Sequence, residues 1–253
     1  MSDYNFLKPK KSIHITIFTG GAYPDPSVTT RYWQTHIPEY IIAADSGLDT
    51  IRHYTDFYAD RIDFTPQKIL GDFDSVSDKD LLTQYPADIE ERFPPDKDWT
   101  DTELAFDSAY KIAEKKLAVP FITLVGGDGG RLDHLIAIYD TFSSVHHAQA
   151  WLLSSQVLYY IAAETTVEIS RLTRGETVSV ARTSVSRTGG TLVSHGLKWE
   201  SNVFRAEGMP SVSNRISDEY AKSGKPVTIS AYGMPALLIV PYTAEVRFLL
   251  KEN

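Results

Sequence analysis

Short apolar runs rich in β-branched residues alternate with helical patterns over the first two-thirds of the chain. The runs that predict strands are 12–18, 40–44, 68–70 and 121–125. Between them apolar residues recur at helical spacing, and the segments that predict helices are 48–54, 78–85, 101–116 and 132–142. Strands that alternate with helices indicate parallel βαβ units. We therefore expect an N-terminal α/β domain with a parallel, Rossmann-like sheet and helices on both faces.

Capping signals predict where two of these helices begin. Ser77 precedes the helical pattern at 78–85 and is a suitable N-cap. Thr100 precedes the pattern at 101–116, and Glu103 follows three residues later, which is the spacing of a capping box. Both helices are therefore expected to begin directly after a hydroxyl-bearing side chain.

The pattern changes near residue 164, where helical spacing gives way to short alternating runs separated by Gly, Pro and Ser turns. These runs predict strands at 166–169, 177–181, 190–193, 227–229, 236–240 and 245–250. Such a series is typical of an all-β sandwich or barrel. We therefore predict two domains, an α/β domain over residues 1–163 and a β-sandwich or barrel domain over residues 164–253.

Composition and charge limit the possible partners and the compartment. A net charge of −8, from 25 basic and 33 acidic residues, argues against binding to nucleic acid or to an anionic membrane. No apolar run approaches the ~20 residues that cross a bilayer. The first eleven residues lack the apolar core of a signal peptide. Without cysteine there is no disulfide framework and no thiolate zinc site, and we expect a cytoplasmic protein.

Two aspartates, Asp72 and Asp74, follow the third predicted strand in the segment Gly-Asp-Phe-Asp-Ser. Alternate residues of an extended strand point to the same side, so both carboxylates are expected on one side. Such a pair repels unless a cation lies between its members, and hard oxygen ligands suit Mg²⁺, which also binds phosphates. The pair therefore predicts a metal–phosphate site. A solvated turn is the alternative, because Asp, Gly and Ser are common turn residues.

Three further acidic or glycine-rich clusters follow predicted strands or open predicted helices. They begin at Asp45, Asp96 and Gly126. In an open α/β sheet, the loops at the carboxyl ends of the strands converge at one edge, where ligands bind. We therefore expect these clusters to meet beside Asp72 and Asp74.

The cluster at 96–101 combines a cation with several carboxylates. Lys97 stands between Asp96 and Asp98, in a loop that opens a helix, and can meet a phosphate that carries Mg²⁺. Asp101 lies in the first turn of that helix, where the dipole stabilises a negative charge. A purely structural capping carboxylate is the alternative for Asp101.

Residues 126–130 supply four glycines between a predicted strand and a predicted helix. Glycines such as Gly127 let backbone N–H groups approach a phosphate closely, and the helix N-terminus adds a favourable field. Arg131 offers a bidentate cation for phosphate, and Asp133 adds a carboxylate in the next turn. His134 fits a capping or packing role as well as a catalytic one.

Trp199 is a large aromatic residue in the predicted β domain, and Ser213 and Asn214 form a second polar pair there. One interpretation of Trp199 is packing in a core or interface. The other is a flat platform for a ring-bearing cationic ligand.

Taken together, these motifs resemble thiamine pyrophosphokinase. The matching motifs are Asp45-Ser-Gly47, Gly71-Asp72-Phe-Asp74-Ser75, Asp96-Lys97-Asp98-x-Thr100-Asp101, Gly126-Gly127-x3-Arg131-x-Asp133-His134 and Gly196-Leu197-Lys198-Trp199. They occur in the order and spacing of the family, and the resemblance extends from about Gly20 to Asn214.

The resemblance implies an α/β domain, a C-terminal β domain and a homodimer with active sites at the subunit interface. It implies transfer of a diphosphate from ATP to the thiamine hydroxyl, giving thiamine diphosphate and AMP. It also implies a Mg²⁺ site at Asp72, Asp74 and Asp101, and thiamine binding across the dimer by Trp199, Ser213 and Asn214. The residues expected around the nucleotide and diphosphate are Asp45, Lys97, Asp98, Thr100, Arg131 and Asp133. Asp98 or Asp133 could accept the hydroxyl proton, as could bulk water.

Two other functions use the same sequence features. One is a different Mg²⁺-dependent nucleotide phosphotransferase or hydrolase, with the same acidic edge and another acceptor. The second is a non-catalytic sensor of thiamine or nucleotide, whose acidic loops would tolerate Asp→Asn changes. The number of carboxylates gathered at one site favours an enzyme, because such a cluster is costly unless metal ions neutralise it.

Overall fold

The computed structural model describes residues 11–185, 189–200 and 209–249, and these form fourteen strands and five α-helices. The helices are α1 (Thr30–Thr35), α2 (Gly47–Tyr58), α3 (Asp101–Lys115), α4 (Leu132–Phe142) and α5 (Asp218–Ser223). The strands are β1 (Ser12–Phe18), β2 (Tyr40–Ala44), β3 (Lys68–Gly71), β4 (Glu90–Arg92), β5 (Val119–Val125), β6 (Ala150–Leu152), β7 (Val157–Ile161), β8 (Thr165–Ser170), β9 (Val178–Arg182), β10 (Thr191–His195), β11 (Ser211–Asn214), β12 (Val227–Tyr232), β13 (Ala236–Val240) and β14 (Glu245–Leu249).

One ten-stranded sheet has the order β11-β9-β13-β7-β6-β5-β1-β2-β3-β4. Strands β1 to β6 pair in parallel, as the alternation of strands and helices predicts. The direction changes at β7, which pairs antiparallel with β6, and the strands beyond it are also antiparallel. The sheet is therefore mostly parallel on the side of β1 to β4 and antiparallel on the side of β11.

Helices cover both faces of the parallel part, as predicted. Leu48 and Ile51 of α2 pack in one buried cluster with Ile41 of β2. Ala105 of α3 packs in a second cluster with Ile42, the next residue along β2. Because successive side chains of a strand point to opposite faces, the two clusters lie on the two sides of the sheet. Phe142 of α4 belongs to the second cluster.

A second sheet, with the order β10-β12-β8-β14, is antiparallel throughout. Its inward residues Val167 and Ile229 lie in the same buried cluster as Val180 and Leu238 of the large sheet. The two sheets therefore pack face to face, which is the arrangement of a sandwich. The described part of residues 164–253 also contains one helix, α5, so it is not purely β. Leu250, the predicted end of the last strand, lies outside the described residues.

Strands from both sides of residue 163 belong to the large sheet, since β7 precedes that position and β9, β11 and β13 follow it. The division into residues 1–163 and 164–253 remains a prediction. Among the described residues, none of the helices has the length and apolar character that a membrane-spanning segment requires.

The two predicted helix starts have different outcomes. Thr100 caps α3: its Oγ accepts from the Glu103 N–H at 3.2 Å, and the Glu103 carboxylate accepts from the Thr100 N–H at 2.7 Å. Ser77 does not cap a helix, because its N–H and hydroxyl both donate to the carboxylate of Asp49. The segment after it forms a short 3₁₀ helix, Lys79–Gln84, capped by Asp78.

Two histidines stack on aromatic rings near the start of the sheet. The rings of His14 and Phe121 lie 4.9 Å apart, and those of His36 and Tyr32 lie 4.2 Å apart. Burial lowers the pKa of His14, against the opposing effect of the Glu39 carboxylate. Burial also lowers the pKa of His36, against the hydrogen bond that its ring makes to the Tyr32 carbonyl. Both imidazoles therefore favour their neutral form in the folded protein.

This arrangement predicts a pH-dependent stability. The unfolded histidines bind protons near pH 6.5, and the folded ones do so only at lower pH. The unfolded state therefore holds more protons in that window, and the free energy of unfolding should fall as pH decreases from 6.5. Urea unfolding between about pH 7 and pH 5.5 measures this slope. His36→Phe keeps the ring stack without the titration and should flatten the curve; an unchanged slope would contradict the prediction.

Candidate functional site

The loops after four neighbouring parallel strands meet at the carboxyl edge of the sheet. The Asp45 N–H donates to the Leu70 carbonyl at 2.8 Å, which joins the loop after β2 to the end of β3. The Gly127 N–H donates to the Gly20 carbonyl at 2.9 Å, which joins the loops after β5 and β1. The predicted convergence of these clusters at one edge is thus present, at the position where open α/β sheets bind ligands.

Three carboxylates gather at this edge. Asp45, Asp72 and Asp101 each place one oxygen within 4.8 Å of the others. They come from three elements: the loop after β2, the loop after β3 and the first turn of α3. Such a set of hard oxygen ligands suits Mg²⁺.

Asp74 is not part of this cluster, and the expectation that Asp72 and Asp74 alternate along a strand is wrong. Strand β3 ends at Gly71, so neither aspartate lies in it. Phe73, between them, has a φ of +63°, a left-handed conformation that breaks the alternation. The Asp74 N–H donates to Asp72 Oδ1 at 3.1 Å, and the Asp74 side chain is exposed. Asp45 takes the third place in the cluster.

Asp101 shows the electrostatic cost of the cluster. Desolvation raises the pKa of Asp101, and the negative charges of Asp45 and Asp72 raise it further. Lys97 opposes these effects, with its Nζ 3.1 Å from Asp101 Oδ1. Lys97 therefore lies at the acidic cluster, as predicted, but one ammonium does not balance three carboxylates.

Asp45 offers a coordination position to a cation. Its Oδ1 is buried and has no hydrogen-bond partner among the described residues. Its Oδ2 accepts from the Ser75 hydroxyl, which also lies 3.1 Å from Ser46 Oγ. A buried carboxylate oxygen without a donor is unfavourable, and a divalent cation between the three aspartates would satisfy it. The residues present therefore fit a Mg²⁺ ion.

The glycine-rich loop uses most of its N–H groups internally. The N–H groups of Gly126 and Asp128 donate to the carbonyls of Leu152 and Ala22, at 3.1 Å each. The Gly127 N–H is bonded to Gly20, as described above, and the Gly129 N–H donates to Asp128 Oδ1. A Cβ on Gly127 would lie 2.7 Å from Ile138 Cδ1. Gly127 thus serves close packing, and its N–H is already committed within the loop.

Arg131 and Asp133 form an ion pair with each other rather than with the acidic cluster. Arg131 donates to both carboxylate oxygens of Asp133, at 3.2 and 2.6 Å, and both side chains are exposed. The hydrogen bond from Arg131 lowers the pKa of Asp133. Asp98 is also exposed, in the loop before α3. Thr100 is occupied as the N-cap of α3. Their predicted contacts with the nucleotide or diphosphate remain predictions.

Trp199 is 55% exposed and stands beside two cations. Lys198 Nζ lies 4.8 Å and Arg215 Cζ 5.6 Å from its ring centroid. Buried Asn214 fixes its backbone: Oδ1 accepts from the Trp199 N–H at 3.2 Å, and Nδ2 donates to the Trp199 carbonyl at 2.7 Å. The side chain of Asn214 therefore positions Trp199. The Ser213 N–H donates to Ser179 Oγ at 3.0 Å.

The tryptophan and the acidic cluster lie far apart across the width of the large sheet. Asn214, which holds Trp199, lies in β11, the first strand of the order, whereas Asp45 follows β2, the eighth strand. Seven spacings of ~4.8 Å separate these strands by roughly 34 Å. Within one chain, the structure does not bring Trp199, Ser213 and Asn214 to the aspartates.

Several residues at this edge were missed as site residues from the sequence, and one was given another role. Asp45 was predicted beside the nucleotide and not as a metal ligand. Ser75 was quoted only as part of a motif, although it donates to Asp45. Trp99 is 62% exposed beside Asp98, in the loop that opens α3. Its position between two motif residues was the available signal.

Comparison with known proteins identifies the family. Residues 29–152 match the family model described as "Thiamin pyrophosphokinase, catalytic domain". This range contains all three clustered aspartates, together with Lys97, and it ends before Trp199.

Solved structures show the same fold over nearly the whole chain. The thiamine pyrophosphokinase of Bacillus subtilis is 20% identical, with a TM-score of 0.63, over 91% of this chain and 99% of that one. The thiamin pyrophosphokinase of Geobacillus thermodenitrificans is 24% identical, with a TM-score of 0.64, over 90% of this chain and 96% of that one. The thiamin pyrophosphokinase of Candida albicans is 18% identical, with a TM-score of 0.64, over 92% of this chain and 89% of that one. Residues 29–152 therefore form a catalytic domain of the thiamin pyrophosphokinase family.

Proposed function

We propose that this thiamine diphosphokinase transfers the terminal diphosphate of ATP to the thiamine hydroxyl, at a Mg²⁺ site formed by Asp45, Asp72 and Asp101. The observation that carries the proposal is the cluster of three carboxylates within 4.8 Å, with a buried oxygen of Asp45 that lacks a hydrogen-bond partner among the described residues. A bound Mg²⁺ would neutralise charge on the phosphate oxygens. The family match supports the activity, and the geometry supports the residues.

The chain's own groups position the reactants and balance their charge. The Asp45 N–H is bonded to Leu70 near the end of β3, and Asp72 directly follows that strand. The hydrogen bond therefore ties the loop that carries Asp45 to the strand that carries Asp72. Lys97 lies 3.1 Å from Asp101 and supplies a positive charge for a phosphate at the same edge. Positioning and electrostatic stabilisation account for most of the catalysis of phosphoryl transfer. Asp98 and Asp133 are exposed and remain candidates for accepting the hydroxyl proton.

We further propose that thiamine is bound between two copies of the chain. Trp199 lies beside the edge strand β11, and Asp45 follows β2, which is seven strand spacings or roughly 34 Å away. One chain therefore cannot offer both to a single thiamine molecule, whereas a symmetric dimer can bring Trp199 of one copy to the acidic cluster of its partner. The same argument supports a homodimer with two composite sites.

The product analysis tests the reaction. The pure protein is incubated with ATP, Mg²⁺ and thiamine, and the nucleotides and thiamine species are separated. Thiamine diphosphate and AMP in equal amounts are the expected products. ADP and thiamine monophosphate as products would indicate transfer of a single phosphoryl group instead of a diphosphate. Hydrolysis of ATP without a thiamine product would favour the hydrolase, and binding without turnover would favour the sensor.

A mixing experiment tests the composite site. Trp199→Ala and Asp45→Asn variants are each expected to be inactive or weak as homodimers. When they are coexpressed, about half of the dimers are mixed, and each mixed dimer has one site with both residues intact. Roughly a quarter of the wild-type activity should return. Restoration requires that the two residues act from different chains, so the absence of any restoration would contradict the proposal. The matched control is coexpression of two inactive variants that both carry Asp45→Asn, because none of their dimers has a site with Asp45 intact.

A further inference from the structure

Two cations without an ion-pair partner stand beside Trp199, and we name them the Lys198–Arg215 pair. All three side chains are exposed, and both cations lie within cation–π distance of the Trp199 ring. Within the part of the chain that the structure describes, neither cation forms an ion pair with a carboxylate. Glu200, which follows Trp199 in the chain, instead accepts from the Gly196 N–H at 2.8 Å. The pair therefore carries two unbalanced positive charges, in a protein whose net charge is −8.

A short antiparallel ladder fixes the backbone of both cations. The Lys198 N–H donates to the Arg215 carbonyl at 2.8 Å, and the neighbouring residues Leu197 and Ile216 pair as a β-bridge. Leu197 and Ile216 are buried, so the ladder is anchored in the core beneath it. The two cationic side chains therefore begin from adjacent, fixed segments of backbone and lie next to the same aromatic ring.

The Lys198–Arg215 pair lies at the same end of the large sheet as the acidic cluster. Four successive antiparallel pairings, from β6 through β7, β13 and β9 to β11, give β11 the direction of the parallel strands. Asn214 is the last residue of β11, so Arg215 follows the carboxyl end of its strand, as Asp45 follows β2. A two-fold axis along the strands, midway between β11 and β2, therefore brings the pair to the acidic cluster of a second copy.

The acidic cluster has little positive charge of its own for a diphosphate. Its three carboxylates outnumber the single ammonium of Lys97, and a bound Mg²⁺ would only bring this set to neutrality. Two other cations of this chain near the carboxyl edge are already paired, Arg131 with Asp133 and Arg92 with Glu90. Cations supplied by a second copy would therefore stabilise the anionic oxygens of a diphosphate at the cluster.

We propose that the Lys198–Arg215 pair binds the diphosphate group at the acidic cluster of the partner chain as that group is joined to thiamine. This inference rests on the proposed function, because it takes the composite site as given. Thiamine itself is a cation, so two positive charges beside Trp199 disfavour its binding. The diphosphate ester carries anionic oxygens that both cations can contact. The pair therefore favours the transition state and the product over the substrate, which is what accelerates a reaction.

Binding of thiamine and of thiamine diphosphate, measured separately by calorimetry with Mg²⁺, tests the pair without turnover. Arg215→Gln and Lys198→Gln should each weaken the binding of thiamine diphosphate at least about tenfold and leave that of thiamine within about twofold. Lys222→Gln is the matched control, because it removes the same charge from an exposed position in the last turn of α5. It should leave both affinities within about twofold.

Three results would overturn the proposal. Equal losses of thiamine and thiamine diphosphate affinity in Arg215→Gln would assign the cations to support of the Trp199 ring. An equal effect of Lys222→Gln would reflect net charge alone, and the third result is no binding of thiamine diphosphate to the wild type at millimolar concentration. The titrations also separate this proposal from the proposed function. If the expected affinities are found but ATP and thiamine give no thiamine diphosphate, the diphosphate transfer fails and the anion site remains.

Discussion

An Asp45→Asn variant is expected to lose about 10²–10³-fold in kcat with Mg²⁺, ATP and thiamine. The change removes one of three clustered carboxylates, and the loss of one preorganised electrostatic group at a reacting centre typically has this size. Asparagine tolerates the left-handed φ of +48° at this position, so the backbone of the loop should be retained. Steady-state kinetics at saturating substrates measure the effect.

Asp74→Asn is the matched control, because Asp74 carries the same side chain two residues beyond Asp72 but lies outside the cluster. It should reduce kcat by less than about tenfold. Thermal unfolding gives a readout that does not depend on turnover: Mg²⁺ should raise the Tm of the wild type and of Asp74→Asn but not that of Asp45→Asn. A larger loss in Asp74→Asn than in Asp45→Asn would instead support the ligand set Asp72, Asp74 and Asp101 that the family resemblance implies.

A Gly47→Ala variant is expected to lose at least about 3 kcal/mol in the free energy of unfolding, at the upper end for overpacking. A Cβ at this position would lie 2.1 Å from the Phe18 carbonyl oxygen and 2.8 Å from the Thr19 nitrogen. Both are backbone atoms at the end of β1, so no side chain can rotate to make room. Helix α2, which begins at Gly47, would have to move away from the sheet.

Gly175→Ala is a contrasting variant, in which backbone conformation and not close packing opposes the added Cβ. Gly175 has a φ of +93° and no heavy atom within 4 Å of an added Cβ. Its substitution should therefore cost only the backbone strain, about 1–2 kcal/mol. Denaturant unfolding of both variants compares the cost of the close contact at Gly47 with the cost of backbone strain at Gly175. A loss at Gly47 no larger than that at Gly175 would contradict the close approach of α2 to β1.

The Asp45→Asn and Gly47→Ala variants test two consequences of the same packing. The contact of α2 with the end of β1 holds the loop after β2 against the sheet. That loop contains Asp45, whose N–H is bonded to Leu70 in β3. The position of one carboxylate of the acidic cluster thus depends on a residue without a side chain, two positions further along the chain.

Local signals in the sequence were sufficient for much of the secondary structure. Hydrophobic spacing predicted β1, β2, β13 and α4 with the bounds that the structure has. The Thr100–Glu103 capping box was also predicted correctly, because both residues lie within one turn of the helix. The same reasoning failed at Ser77, whose partner is Asp49, distant in sequence and close in space. Local patterns carry no information about such a competitor.

The convergence of the acidic loops also follows from the sequence, because parallel strands bring their carboxyl ends to one edge. Membership of the cluster does not follow from it. The φ of +63° at Phe73 turns Asp74 away from Asp72. The pairing of β2 with β3 brings Asp45 in its place. Strand register and a left-handed residue decided this exchange, and neither is visible in the spacing of Asp-x-Asp.

The sequence by itself determined many of the strands and helices and the convergence of the acidic loops at one edge, since these follow from periodicity, capping and the parallel pairing of strands. Only the tertiary structure decided three further features. The N–H groups of residues 126–128 are used within the protein, the Asn214 amide holds Trp199, and Trp199 lies beside β11, seven strand spacings from β2 and Asp45. Each depends on contacts between residues that are distant in sequence, and only folding brings these together.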